Sequence, residues 1–118
     1  MSDQDLKKLY QELEKVKGWL TFNEGVFLYN TAKNCNSKYV IVEIGSWQGK
    51  STIWLAKGSL AGNKARIYAI DPHTGSSEHK NWYKKVWTFD IFKENIKNFK
   101  VDNIITPLIK TSAQAAKE

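Results

Sequence analysis

The stretch YVIVEIGSWQGKST, residues 39–52, decides how the rest of the chain is read. Its first six residues form a β-branched apolar run with one charge, Glu43, which reads as a strand buried in a parallel sheet. The run stops at Gly45. Gly45 to Gly49 then form a tight loop before KSTIWLAKG, which reads as a helix closed by Gly58. A strand, a glycine loop and a helix in that order mark the ligand end of an open α/β sheet. Gly49-Lys50-Ser51 also looks like the end of a phosphate-binding loop. That motif needs four residues between its glycines, and here there are three.

Upstream, Leu6, Leu9, Tyr10, Leu13 and Val16 fall at three-four spacing, which predicts an amphipathic helix over residues 3–17. Ser2 can cap it and Gly18 can stop it. TFNE, residues 21–24, is a capping box for a second helix whose buried face is Phe22, Val26 and Tyr29. Downstream, ARIYAI predicts a second strand that ends at Asp71. DPHTGSSEHKNWYKKVW is a long loop. Thr88 begins a third helix with Phe89, Phe92, Ile96 and Phe99 inside. IITPLIK predicts a third strand, and Pro107 places it at a sheet edge because proline cannot donate to a ladder. TSAQAAKE opens a further helix. Alternating strands and helices imply a parallel α/β sheet with right-handed crossovers. The expected organisation is a helical segment, residues 1–37, followed by a Rossmann-like unit, residues 38–118.

The length of 118 residues suits one small domain. Apolar residues make up 42%, with five each of Trp, Tyr and Phe, so a real core can form. No apolar run is long enough to span a membrane, and the charged N-terminus has no signal-peptide core. Cys35 is the only cysteine; it reads as a core or boundary residue and points to a reducing, cytoplasmic setting. The net charge of +6 invites nucleic acid, but Arg66 is the only arginine and the lysines are scattered. Base readout leans on bidentate arginine, so the charge reads as a solvated surface.

Three ligands compete for the loop. A nucleoside triphosphate would need one more loop residue to wrap its phosphates. A dinucleotide would need glycine at position 47, where Trp47 blocks close approach of a pyrophosphate. The third is a ligand with a ribose and an amino-acid tail but no phosphate. Asp71 can accept from ribose hydroxyls, and Ser51 with the helix N-terminus can hold a carboxylate. Gly45 and Gly49 let the backbone turn tightly, and Glu43 can place a cationic amine.

VEIGSWQGKST followed by YAIDPHTG resembles the class I S-adenosylmethionine-dependent methyltransferases. It is most similar to the small-molecule O-methyltransferase branch with an E-x-G-x-x-x-G-x-S loop, including catechol-type enzymes and domains related to cephalosporin hydroxylases. GWLTFNEG also resembles the segment that precedes the first strand there. The resemblance implies S-adenosylmethionine as cofactor. It implies that Glu43, Gly45, Ser46 and Trp47 line the methionine end and that Gly49 and Ser51 follow, with Ser51 on the carboxylate. Asp71 would take the ribose, Pro72 would border the adenine, and Ser112 would meet the adenine edge. The implied fold is a Rossmann-like sheet, here truncated to three parallel strands with flanking helices and two N-terminal helices. The family sheet has seven strands in the order 3-2-1-4-5-7-6, so the expectation is its N-terminal half.

The implied activity is methyl transfer to a small molecule, through oxygen. No metal ligands and no catalytic residues are assigned. The alternative is a non-catalytic domain that binds adenosine ligands or only dimerises. Residues 39–44 would have an unpaired outer side, which predicts a homodimer through that edge. His73, His79 and Glu78 read first as loop residues, and Trp82, Tyr83 and Trp87 as loop packing.

Overall fold

The computed structural model describes residues 2–74 and 87–117. Helix α1 spans Asp3–Glu12. The Ser2 hydroxyl accepts from the Asp5 N–H, and the Asp5 carboxylate accepts from the Ser2 N–H. The helix is shorter than its apolar stripe. It tightens into a 3-10 turn at Leu13–Lys15 and is extended at Val16, yet Leu6, Leu9, Leu13 and Val16 are all buried. Helix α2 spans Phe22–Asn34, and Thr21 and Glu24 form the reciprocal cap that TFNE predicts. Tyr29 and Ala32 are buried, while Phe22 and Val26 pack against the core half-buried.

The alternating half follows as β1 (Ile41–Ile44), α3 (Lys50–Ala61), β2 (Ile67–Ile70), α4 (Phe89–Asn98), β3 (Ile105–Leu108) and the short α5 (Ser112–Ala115). The sheet order is β1-β2-β3 and both pairings are parallel. Pro107 lies on an edge strand, paired with Ala69, as its missing N–H requires.

Gly58 does not close α3. The helix continues to Ala61 and ends at Gly62. A Cβ at Gly58 would sit 2.0 Å from the Tyr29 carbonyl oxygen. This glycine is therefore a contact surface that lets α2 and α3 approach backbone to backbone. Gly25 does the same from α2, where a Cβ would lie 2.3 Å from the Trp54 ring. Trp54 is fully buried there.

The register sorts the strand residues into two faces. Ile41, Glu43, Ile67, Ala69, Ile105 and Pro107 share one. Ile41, Ile67, Ala69 and Ile105 of this face join Ile53, Trp54 and Ala56 of α3 and Phe92 and Ile96 of α4 around one core. The opposite face carries Val42, Ile44, Tyr68, Ile70, Thr106 and Leu108. There Val42 is 54% and Ile44 68% exposed. The run at residues 39–44 thus holds a four-residue strand that is half-buried on one side and exposed on the other, and not the fully buried strand its composition suggests. Both crossover helices pack on the same face, so in β1 the core they build reaches only alternate residues, whereas in β2 Ile70 is buried on the far face as well.

Candidate functional site

Because the strands are parallel and in register, Ile44, Ile70 and Leu108 bring their following loops to one end of the sheet. The Gly45 N–H donates to the Ile70 carbonyl at 2.8 Å, and the Asp71 N–H donates to the Leu108 carbonyl at 3.1 Å. Gly45 and Gly49 take φ of +86° and +97°, and Trp47 between them takes +46°. That series folds the chain back on itself, and the Gly49 N–H donates to the Ser46 carbonyl. A Cβ at Gly49 would meet the Phe92 ring at 3.1 Å. A Cβ at Gly45 would meet nothing within 4 Å, so the backbone there faces open space. From α4, Asn95 Nδ2 donates to the Gln48 carbonyl at 2.9 Å and braces the loop from behind.

Asp71 locks the two loops together. Its Oδ2 accepts from the Trp47 N–H and its Oδ1 from the His73 N–H, both at 2.7 Å. Each oxygen keeps a second lone pair, so hydroxyl donors of a ligand can still be met. Glu43 accepts from the Ser51 hydroxyl at 2.6 Å and from the Thr52 hydroxyl. Burial pushes the Glu43 carboxyl above its ordinary value; the two hydroxyls pull it back, and the Asp71 charge pushes it up. A buried carboxylate with a second carboxylate beside it favours a cationic ligand. Beside them the α3 N-terminus has no side-chain cap. Its positive end suits a carboxylate. Ser46 is buried and its hydroxyl has no partner among the described residues.

The remaining expected positions fall as follows. Gly45, Ser46, Trp47 and Gly49 form the loop itself. Pro72 follows Asp71 half-buried, and Ser112 opens α5, exposed, beyond β3. Ser51 faces Glu43, so its proton is already committed to that carboxylate. Lys50 does not point into the loop as a phosphate-binding lysine would. Its Nζ donates back to the Gly18 carbonyl at 3.3 Å.

His73 is buried at φ +60°, with Nδ1 2.8 Å from the Thr88 hydroxyl and its ring against Phe89 and Phe92. Burial lowers its pKa, with the Asp71 charge opposing. It packs the loop, as a neutral imidazole. Trp87 is half exposed and bonds to Asp90. Glu78, His79, Trp82 and Tyr83 lie outside the described residues. Among the described residues no group of three or more His, Cys, Asp or Glu is placed to hold a metal.

Thr52, Asn95 and Trp19 complete the arrangement without having been singled out by sequence. Trp19 lies parallel to Trp47, with ring centroids 6.2 Å apart. Thr52 had a signal, since it follows Ser51 in the first helical turn. Asn95, 47 residues from Gln48, had none.

The Methyltransferase domain family matches residues 42–118. Among solved structures the chain is similar to cofactor-bound Rv0187 from MTB, with 18% identity, a TM-score of 0.63, and coverage of 98% of this chain and 48% of that one. It is equally similar to a proposed O-methyltransferase from Klebsiella pneumoniae, with 18% identity, a TM-score of 0.63, and coverage of 100% and 48%. At that identity the likeness speaks for the fold. The chain spans about half the length of these structures. With its glycine loop, second-strand acid and parallel sheet inside the matched region, the chain belongs to the class I S-adenosylmethionine-dependent methyltransferase family.

Proposed function

We propose that this chain is the cofactor-binding part of an enzyme that transfers a methyl group to an oxygen of a small molecule. The observation that carries this is the convergence of Asp71, Glu43 and the uncapped α3 N-terminus around the open backbone of Gly45. Those groups match a ligand with ribose hydroxyls, a cationic centre and a carboxylate. Bound S-adenosylmethionine supplies an electrophilic methyl on a sulfonium sulfur. In this proposal Asp71 holds the ribose with its free lone pairs, and Glu43 holds the amine. The N–H groups at the start of α3 hold the carboxylate, while Ser51 orients Glu43. Trp47 closes the methionine end, and Pro72 and Ser112 border the adenine. The Ser46 hydroxyl gives a further donor in the loop.

Calorimetry with S-adenosylhomocysteine tests this. Saturable binding is expected. Asp71→Ala should weaken it by about 1.5–3 kcal/mol, roughly 10- to 150-fold, because a charged acceptor is lost. No binding at millimolar ligand, or equal binding by Asp71→Ala, would sink the assignment. The acceptor is held by elements outside these three strands in this proposal. The chain by itself is therefore expected to bind cofactor without turnover, and labelled S-adenosylmethionine provides the assay. A longer protein that also binds without turnover would favour the non-catalytic alternative. In this reading the single cysteine, Cys35, supports a reducing, cytoplasmic setting.

We also infer a homodimer. The outer edge of β1 has no strand beside it among the described residues, and Tyr39, Val40, Val42 and Ile44 are all exposed. Such an edge templates pairing with another strand, and two-fold symmetry would make that junction antiparallel. Light scattering should give a dimer that Val42→Lys shifts to monomer. A monomer at tens of micromolar would remove the inference.

A further inference from the structure

A second polar cavity lies behind the glycine loop, on the far side of Asn95. Beside the 3-10 turn that follows α1 lies a groove of about 590 Å³, lined from the end of α1, from α3 and from the end of α4. Lys15, Lys57 and Lys100 line it from three different elements, together with Glu12 and the carboxamides of Asn95 and Asn98. Three lysines against one glutamate leave two uncompensated positive charges. Among the described residues the one close ion pair joins Asp90 to Lys93, so none of the groove lysines is held in a close ion pair, although Glu12 shares the groove. None of the lining residues belongs to the proposed cofactor set.

We propose that this groove is a second binding site, for a compact phosphate-bearing polyanion. Lysines that converge on a concave surface raise the local concentration of anions by focusing their field. Ammonium groups serve phosphate as point charges and do not need the planar fork of arginine, which this chain almost lacks. Asn95 gives one amide hydrogen to the Gln48 carbonyl and retains another, and Asn98 supplies a further carboxamide. The volume admits a small phosphorylated metabolite but no folded partner. The bland alternative is a solvated lysine surface like the rest of the chain. It differs in having no saturable ligand.

Titration calorimetry of the whole chain with inorganic pyrophosphate decides between the two. Saturable binding is expected. It should weaken at least about tenfold in the triple variant Lys15→Gln, Lys57→Gln, Lys100→Gln, and weaken as salt rises. All three side chains reach solvent, so the variant should fold, and an unchanged circular dichroism spectrum checks this. Lys57→Arg should keep the binding. S-adenosylhomocysteine affinity of the triple variant should match that of the parent chain, which separates this site from the cofactor loop. No saturable binding up to about 10 mM pyrophosphate would overturn the proposal. So would equal binding by the triple variant, or loss of pyrophosphate binding in Asp71→Ala.

Discussion

On one face of the sheet, the backbones of α2 and α3 approach so closely that a Cβ at Gly58 would lie 2.0 Å from a carbonyl oxygen. On the other face, Ile44 of the neighbouring strand leaves 68% of its surface in water. The residues concerned are equally apolar. Ile67 and Ile44 are the same amino acid on neighbouring strands, yet one is wholly buried and the other is not. What separates them is which side the crossover helices land on. Composition therefore marks β1 as a strand, whereas the path of the chain between strands decides which half of it is core. The glycine loop joins the two regimes. It is braced from the packed face by Phe92 and Asn95 and open at Gly45.

The contrast is broken most directly by paired truncations. Ile53→Ala should cost about 2–5 kcal/mol in urea denaturation, through lost transfer energy and a residual cavity. Ile44→Ala should cost less than about 0.5 kcal/mol in a monomeric background. Equal losses would show that the second face is covered in solution. Next comes Gly58→Ala, expected to destabilise by about 3 kcal/mol because a methyl must displace backbone and not a flexible side chain. A cost below about 1 kcal/mol would mean that the two helices separate easily.

Gly49→Ala sharpens the comparison at the loop. A side chain at φ +97° and 3.1 Å from the Phe92 ring should cost about 1–2 kcal/mol and also weaken S-adenosylhomocysteine binding. Gly45→Ala shares the backbone strain but meets no atom. It should thus affect binding more than packing.

The smallest effect concerns pH. His73 has a folded pKa below its ordinary 6.5, chiefly through burial. The unfolded chain then takes up a proton more readily, so the stability from neutral His73 is full above pH 6.5 and is lost as pH falls through the folded value. Glu43 works in the opposite sense. Its raised pKa adds stability that is present in acid and is lost as pH rises through its folded value. The thermal midpoint of His73→Gln should depend less on pH just below 6.5 than that of the parent chain. Identical profiles would show that His73 does not titrate there.

Where the physics is local, the sequence carries it plainly. Ser2 with Asp5 and Thr21 with Glu24 meet three residues apart, so both caps are visible before any fold exists. The three short strands, the glycine loop and the acid after β2 follow from runs and breaks in the chain in the same way. The misreading of Gly58 shows the limit. A glycine near the end of an apolar run reads as a stop, and its real partner is Tyr29, on another helix. In the site, Glu43 and Asp71 were legible as acids at strand ends. That Asp71 binds the Trp47 N–H across 24 residues, and Glu43 takes the Ser51 and Thr52 hydroxyls, was not.

By itself the sequence determined the element types, their order, and hence a parallel sheet with a ligand loop at its carboxyl end. Periodicity, capping and turn chemistry act over a few residues, and the preference for right-handed crossovers then leaves few ways to assemble the strands. Only the tertiary structure decided which face of β1 is buried, how closely α2 meets α3, where the Ser51 proton goes, and that Lys15, Lys57 and Lys100 share one groove. Each of these depends on groups far apart in the chain, whose distances are fixed only when the helices have packed on the sheet.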